Sequence, residues 1–161
     1  MYISALSPTH PDALLLLDAL SDSLAAITGD SGHNSFDPND VTVPGAAFVV
    51  AYASRGKPVG CGAYRPLGDG VAELKRMFAQ PDSKGVGIAI LQHLEKLAFL
   101  DGYRELRLET RAVNLRDVSF YERNGYRLIP NFGKYSGKPE AVCFAKTLRT
   151  VASANESLHS S

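Results

Sequence analysis

Lys84-Gly85-Val86-Gly87-Ile88-Ala89 lies between a predicted strand, Val71–Ala79, and a predicted amphipathic helix, Val86–Leu100. Glycines at the start of a helix let a ligand approach the backbone closely, because they carry no Cβ atom. The unpaired N–H groups and the positive end of the helix dipole favour a phosphate group there. Glycine-rich turns between a strand and a helix are also common without any ligand, so this stretch alone is a weak indication of a phosphate site.

The segment before this stretch predicts one helix and a group of closely spaced strands. Residues 2–6 form a short predicted strand, and Thr9-His10-Pro11-Asp12 is typical of a helix start with Thr9 as its cap. Apolar residues then recur with helical spacing as far as Ile27. Residues 29–45 are rich in Gly, Pro, Asn and Asp, and we expect this long loop near the substrate entrance. The strands are separated by short turns and predict an antiparallel meander; they cover residues 46–53, 59–64 and 71–79.

The segment after the stretch completes a strand-helix-strand unit. Residues 105–110 alternate apolar and polar side chains, as a half-exposed strand does. Asn114 and Asp117 open a further predicted helix, which Gly125 ends, and residues 140–148 form the last predicted strand. A strand, a helix and a second strand in this order predict a right-handed crossover between parallel neighbours.

The composition is that of one globular domain. The chain has 161 residues, of which 45% are hydrophobic, and 17 Lys and Arg balance 17 Asp and Glu. Because phosphate neutralisation needs clustered cations, nucleic acid is excluded as the main partner. Residues 1–149 are predicted to form a single α/β domain, and the small polar residues 150–161 a disordered tail.

The N-terminal residues, the cysteines and the histidines allow predictions about the protein's location and about metal binding. The N-terminal residues show neither a signal peptide nor a membrane span. Cys61 and Cys143 lie in strand-like segments and are interpreted as buried free thiols, which agrees with a reducing, cytoplasmic location. The four histidines are scattered without ligand spacing, so no metal site is predicted.

A dinucleotide-binding site is the obvious alternative for the glycine-rich stretch. The fingerprint needs a third glycine, where this chain has Ile90, although Glu109 does end the next strand as an acid should. The fingerprint belongs to the first strand-helix unit of a mainly parallel sheet. Here an antiparallel meander precedes it, so this interpretation is disfavoured.

The motifs together resemble the GNAT superfamily of N-acetyltransferases. Lys84, Gly87 and Ala89 match the family's coenzyme A signature, except that Lys replaces Arg or Gln at the first place. Met77-Phe78-Ala79-Gln80-Pro81 resembles the family's bulged fourth strand and the turn after it. Asn114, with Phe120-Tyr121-Glu122-Arg123-Asn124-Gly125-Tyr126, resembles a later box of the family. The likeness covers residues 46–148 and implies a mixed sheet, antiparallel at first, whose parallel fourth and fifth strands splay apart.

The resemblance implies acetyl transfer from acetyl-coenzyme A to a primary amine, on a small molecule or a protein, by direct attack in a ternary complex. The residues themselves predict no metal and no membrane partner, and a homodimer is a common default. A degenerate coenzyme A-binding sensor or interaction module is the alternative. The implied cofactor-binding residues are Met77, Phe78, Ala79, Lys84, Gly85, Val86, Gly87, Ile88, Ala89 and Asn114.

Three candidate site residues each have a second, structural interpretation. By resemblance Tyr121 is the acid that protonates the departing thiolate, whereas a helical Tyr is otherwise a core aromatic. Glu73 is either the general base or a strand carboxylate that is solvated or paired with Lys75. Strand alternation predicts that Glu73 shares one face of the strand with Lys75 and Met77. Asn114 caps its helix or contacts the cofactor. Residues 131–135 predict a loop that lines the acceptor pocket.

Overall fold

The computed structural model describes residues 1–31 and 36–149. Within these ranges the strands are β1 (Tyr2–Ala5), β2 (Ala47–Tyr52), β3 (Pro58–Gly68), β4 (Val71–Ala79), β5 (Glu105–Arg111), β6 (Arg127–Ile129) and β7 (Ala141–Thr147). The α-helices are α1 (Pro11–Thr28), α2 (Val86–Leu100) and α3 (Leu115–Arg123). Short 3-10 helices cover Pro38–Val41, Ser54–Gly56 and Gly133–Tyr135.

The strands form one mixed sheet in the order β1-β2-β3-β4-β5-β7-β6. Strands β2 to β4 are the predicted antiparallel meander, and β1 pairs antiparallel with β2. Strands β4 and β5 are parallel neighbours joined through α2. Parallel pairing starts at Val71 with Glu105 and stops after Glu73 with Arg107. Beyond this point β4 pairs with β3 and β5 pairs with β7, so the two strands part and leave a gap between them. The predicted splayed sheet is therefore confirmed.

A β-bulge interrupts β4 at Arg76. The register with β3 shifts there, and Arg76 has a φ of 54°, in the left-handed region that few side chains adopt. Strict alternation would place Met77 on the same face as Glu73 and Lys75. That expectation is wrong, because the bulge resets the alternation and Met77 packs with the core beneath α2.

Helices cover both faces of the sheet. Helix α1 packs on one face, through Ala13, Leu16 and Leu17, against Phe48, Val50, Tyr52, Cys61 and Ala63. Helix α2 packs on the other face, where its buried residues are Val86, Ile90, Leu91, Leu94 and Ala98. Both helices are amphipathic as the sequence spacing predicts. The two cores pack against both faces of β4. The end of β4 stays paired with β3, and its other edge faces the gap.

The structure differs from the sequence-based expectations in local details. Helix α1 is capped by His10, whose Nδ1 accepts from the Asp12 backbone N–H at 3.1 Å, and not by Thr9. Pro11 is the first helical residue, so the cap must be the residue before it. Strand β6 was not predicted, because three largely exposed residues carry too short a pattern.

Residues 32–35 of the predicted loop and the whole of the predicted tail, residues 150–161, lie outside the described residues. In the described part of the chain, no helix combines the length and the hydropathy that crossing a membrane requires.

Candidate active site

A cleft of about 320 Å³ opens where β4 and β5 part. Its floor comes from β4 between Glu73 and Met77 and from β5 between Leu108 and Arg111. Helix α1 forms one wall through Leu20, Leu24 and Thr28. Asp30 lines the cleft just after α1. The other lining residues come from α3 with its cap, and from the segment that leads into β7; they are Asn114, Asp117, Tyr121, Lys134, Tyr135, Lys138, Glu140 and Ala141.

The glycine-rich stretch lies where β4 leads into α2. Gly85 is the N-cap residue with a φ of 74°, a conformation that favours glycine, and no described side chain caps this helix. The first amides of α2 therefore lack a side-chain acceptor and point out of the helix end. Gly87 faces Phe120 and Ala79, since a Cβ there would meet them at 3.6 and 3.9 Å. Lys84 is exposed beside this helix end.

The predicted cofactor-binding residues fall on different parts of this region. Met77 lines the cleft, while Phe78 and Ala79 continue β4 beyond it and pack into the cores on opposite faces. Ala89 lies one turn into α2, beside a separate groove that Gln92 and His93 also line. The structure therefore brings the strand end and the helix start together. Ala89 belongs to the first turn of α2, where its backbone N–H donates to the Gly85 carbonyl at 3.1 Å.

Tyr121 reaches the cleft from α3. Its side chain is buried, and its ring makes edge contacts with Phe120 and Tyr126, with centroid separations of 5.1 and 5.5 Å. Among residues 1–31 and 36–149 no hydrogen-bond partner of its hydroxyl is found. Burial, with a smaller contribution from Asp117, raises the pKa of Tyr121 above its ordinary value of 10.0. The ring belongs to the core while the residue borders the cleft.

Asn114 has the predicted capping role. Its Oδ1 accepts from the Asp117 backbone N–H at 3.2 Å, and its Nδ2 donates to Asp117 Oδ2 at 3.0 Å. The residue is buried and also lines the cleft. Capping fixes the start of α3 and hence the position of Tyr121 two turns later.

Glu73 is fully buried, so the interpretation as a solvated strand carboxylate is wrong. Its Oε1 accepts from Arg65 Nε and its Oε2 from the Tyr135 hydroxyl, both at 2.7 Å. Lys75 Nζ lies 3.8 Å from Oε2 and donates to the Tyr135 hydroxyl at 3.1 Å. Burial lowers the pKa of Lys75, although Glu73 opposes this shift. The four side chains form one buried polar cluster at the cleft.

Sequence reasoning missed Arg65, the contact between Tyr135 and Glu73, and one wall residue, Arg76. Arg65 and Tyr135 are separated from Glu73 by 8 and 62 positions, so no local motif joins them. The predicted acceptor loop 131–135 does place Tyr135 on the cleft. Arg76 looks like an ordinary strand residue in the sequence, because its role depends on the bulge.

The two cysteines do not line the cleft, although Cys61 neighbours Arg76. Both are buried free thiols. Burial raises the pKa of Cys61 to about 12 and also raises that of Cys143, so both are neutral near pH 7. In the described segments, no group of three His, Cys, Asp or Glu side chains is arranged to hold a metal ion.

Comparison with known proteins agrees with this architecture. The model of the acetyltransferase (GNAT) family matches residues 16–126. A curated relative, the IAA acetyltransferase of Azospirillum brasilense, is 30% identical over 145 residues, which cover 88% of this chain and 94% of the relative.

Solved structures share the fold over nearly the whole chain. A candidate acyl-CoA N-acyltransferase from Klebsiella pneumoniae has a TM-score of 0.77 and 27% identity, covering 92% of this chain and 97% of its own. An aminoglycoside 6'-N-acetyltransferase complexed with coenzyme A has a TM-score of 0.62 and 20% identity, covering 93% and 98%. Since the family model spans more than half of the sequence and the splayed mixed sheet agrees with it, this chain belongs to the GNAT family of acetyltransferases.

Proposed function

We propose that this protein transfers the acetyl group of acetyl-coenzyme A to a primary amine by direct attack in a ternary complex. The observation that carries the proposal is the gap between β4 and β5 together with the start of α2, which follows β4 in the chain and has no side-chain cap. A gap beside an open strand edge accepts an extended chain such as pantetheine, and a helix start accepts phosphate.

The cofactor is proposed to lie along the end of β4. Backbone groups of Met77, Phe78 and Ala79 would pair with pantetheine, and a backbone N–H there would polarise the thioester carbonyl. Amides of residues 85–88 would bind the pyrophosphate, with Lys84 adding a positive charge beside them. Asn114 borders the same cleft and would contact the pantetheine arm besides capping α3.

Tyr121 is the proposed general acid. A thiol has an ordinary pKa near ~8.5, so the leaving coenzyme A thiolate gains from a nearby proton donor. The raised pKa of Tyr121 keeps its hydroxyl protonated through neutral and mildly alkaline pH. No partner among the described residues competes for this proton, which supports a role in delivery rather than in packing alone.

Glu73 is the proposed base that receives the proton of the attacking amine. Its two oxygens are already occupied by Arg65 and Tyr135, so the proton would reach it through Tyr135, Lys75 or water. Removing this proton is necessary because a primary amine is mostly protonated near neutral pH. The burial of both thiols outside the cleft supports direct transfer without a covalent enzyme intermediate.

Acetyl-coenzyme A at 100 times its dissociation constant is expected to stabilise the protein against unfolding by about 2.7 kcal/mol. Titration calorimetry gives the constant, and a melting curve gives the stabilisation. Release of free thiol in the presence of an amine library then tests transfer. Absence of binding at millimolar cofactor would reject the proposal, whereas binding without turnover of any amine would favour the coenzyme A-binding module.

Gly87→Asp is expected to weaken acetyl-coenzyme A binding by more than tenfold, because it brings a negative charge to the proposed pyrophosphate site. The fold should survive, since a Cβ at Gly87 meets its neighbours at ordinary contact distances. Gly87→Asn is the matched control, with the same size and no charge, and should bind better than the Asp variant. Equal binding by the wild type and Gly87→Asp would show that the pyrophosphate lies elsewhere.

A further inference from the structure

Arg76 brings a positive charge to the cleft wall from the bulge of β4. Its Nη2 donates to Ser21 Oγ of α1 at 2.7 Å, and its Cζ lies 5.1 Å from the ring centroid of Phe36. Its Nε is buried and has no hydrogen-bond acceptor among the described residues. A guanidinium has five N–H donors, so within residues 1–31 and 36–149 the Ser21 hydroxyl meets only part of this capacity.

No carboxylate within the described ranges forms an ion pair with Arg76. Of the five carboxylates that line the cleft, Asp30 and Glu73 pair with other arginines, at 3.0 and 2.7 Å. The other three, Glu109, Asp117 and Glu140, form no ion pair with Arg76. The residues that precede Phe36 in the chain contain no acidic side chain; they are Gly32, His33, Asn34 and Ser35. The neighbouring Cys61 thiol cannot balance the charge either, because burial raises its pKa to about 12 and keeps it neutral.

A half-buried cation that has no counter-ion among the described residues loses hydration and gains little from them in return. Burial accordingly lowers the pKa of Arg76. The same residue holds a positive φ, a conformation that costs free energy unless the surrounding structure fixes it. An anionic group on a bound molecule would supply the missing acceptors. The planar guanidinium fork matches a carboxylate, which can accept two parallel hydrogen bonds.

We propose that the acceptor is an amine that also carries a carboxylate, and that Arg76 binds this carboxylate. The inference rests on the proposed acetyl transfer and names its substrate class. Arg76 directly precedes residues 77–79, the proposed thioester site, so a carboxylate held at Arg76 places an amine a few bonds away within reach of the acetyl group. Leu20 and Leu24 give the rest of a small amino acid an apolar wall.

A phosphate group is the alternative anion at Arg76, since a guanidinium also binds phosphate through two parallel hydrogen bonds. Five acidic and five basic side chains line the cleft, so its formal charge does not separate the two anions. A substrate panel that includes an amine with a phosphate group therefore decides between them.

The test compares kcat/KM for a panel of free amino acids with kcat/KM for the corresponding amino acid amides, which keep the amine and lose the carboxylate. The wild type is expected to prefer the acids by about 100-fold, the value of two good hydrogen bonds to a charged group. Arg76→Gln should bring this ratio toward one, mainly through a higher KM for the acids. Arg76→Lys should fall between the two, since it keeps the charge without the fork.

Ser21→Ala is the second variant, because it keeps Arg76 and removes the hydroxyl that orients it. It should lower the acid-to-amide ratio by less than Arg76→Gln does. If Arg76 served folding alone, its replacement would lower kcat/KM for the acids and for the amides equally and leave their ratio unchanged.

Several results would overturn the inference: equal turnover of acids and amides, an unchanged ratio in Arg76→Gln, preference for phosphoethanolamine, or no turnover of any amino acid. Calorimetry with acetyl-coenzyme A separates these results from failure of the proposed function. If the cofactor binds and only amines without a carboxylate are acetylated, acetyl transfer stands and the assignment of Arg76 is wrong. If the cofactor does not bind, the proposed function fails first.

Discussion

Tyr121→Phe is expected to lower kcat by about 10²–10⁴-fold, the usual contribution of a general acid. The variant loses a hydroxyl and keeps the ring, so the edge contacts with Phe120 and Tyr126 remain. Affinity for acetyl-coenzyme A and the free energy of unfolding should change little, because the hydroxyl has no hydrogen-bond partner among the described residues. A loss confined to kcat would identify an interaction made in the transition state.

The measurement is the steady-state rate of both proteins with one working acceptor, from mildly acidic to mildly alkaline pH. Since burial raises the pKa of Tyr121 above 10.0, the wild type should keep its proton donor across this range. The alkaline limb should therefore reflect other groups, while the variant is slow throughout. The difference in rate between Tyr121→Phe and the wild type would become smaller only under conditions in which the leaving thiolate needs no proton.

Tyr126→Phe is the matched control. Tyr126 belongs to the same aromatic cluster, but its hydroxyl donates to Glu95 Oε2 at 2.8 Å and the residue does not line the cleft. This variant should lose some stability and keep its kcat. If Tyr121→Phe retained the wild-type rate at every pH, Tyr121 would be a core residue and water would protonate the thiolate.

The sequence predicts most of the fold because its main signals are local. Gly85 marks the helix start, and short turns allow β2 to β4 to pair only as antiparallel neighbours. The crossover through α2 then makes β5 parallel to β4. Even the cap of α3 can be inferred, since Asn114 and Asp117 have capping spacing. Each of these features depends on a few consecutive residues.

The candidate site is less predictable because it depends on contacts between distant residues. A single extra residue at the Arg76 bulge moves Met77 to the other face, and strand alternation gives no sign of it. The partners of Glu73 come from β3 and from the segment before β7. Whether a strand carboxylate is solvated or buried depends on those partners, so the sequence left both interpretations of Glu73 open.

Glu73→Gln is expected to lower the free energy of unfolding by about 3 kcal/mol, because removing one partner of a buried ion pair leaves the other uncompensated. Arg65 and Lys75 would both lose their negative partner, and their side chains are only 26% and 10% exposed. If Glu73 receives the proton of the amine, kcat should also fall by about 10²–10⁴-fold. Denaturant unfolding measures the first effect, and rates at saturating acetyl-coenzyme A measure the second on folded protein.

Glu105→Gln is the control for Glu73→Gln, because Glu105 also pairs with two arginines, Arg107 at 2.7 Å and Arg127 at 3.1 Å. Arg127 is largely exposed, and Glu105 lies outside the cleft, so this variant should lose at most about 1 kcal/mol and keep its kcat. Adding Arg65→Gln to Glu73→Gln should cost less than the sum of the two single changes, since both remove one interaction. A destabilised Glu73→Gln enzyme with the wild-type kcat would assign the buried cluster to stability and leave deprotonation of the amine to water.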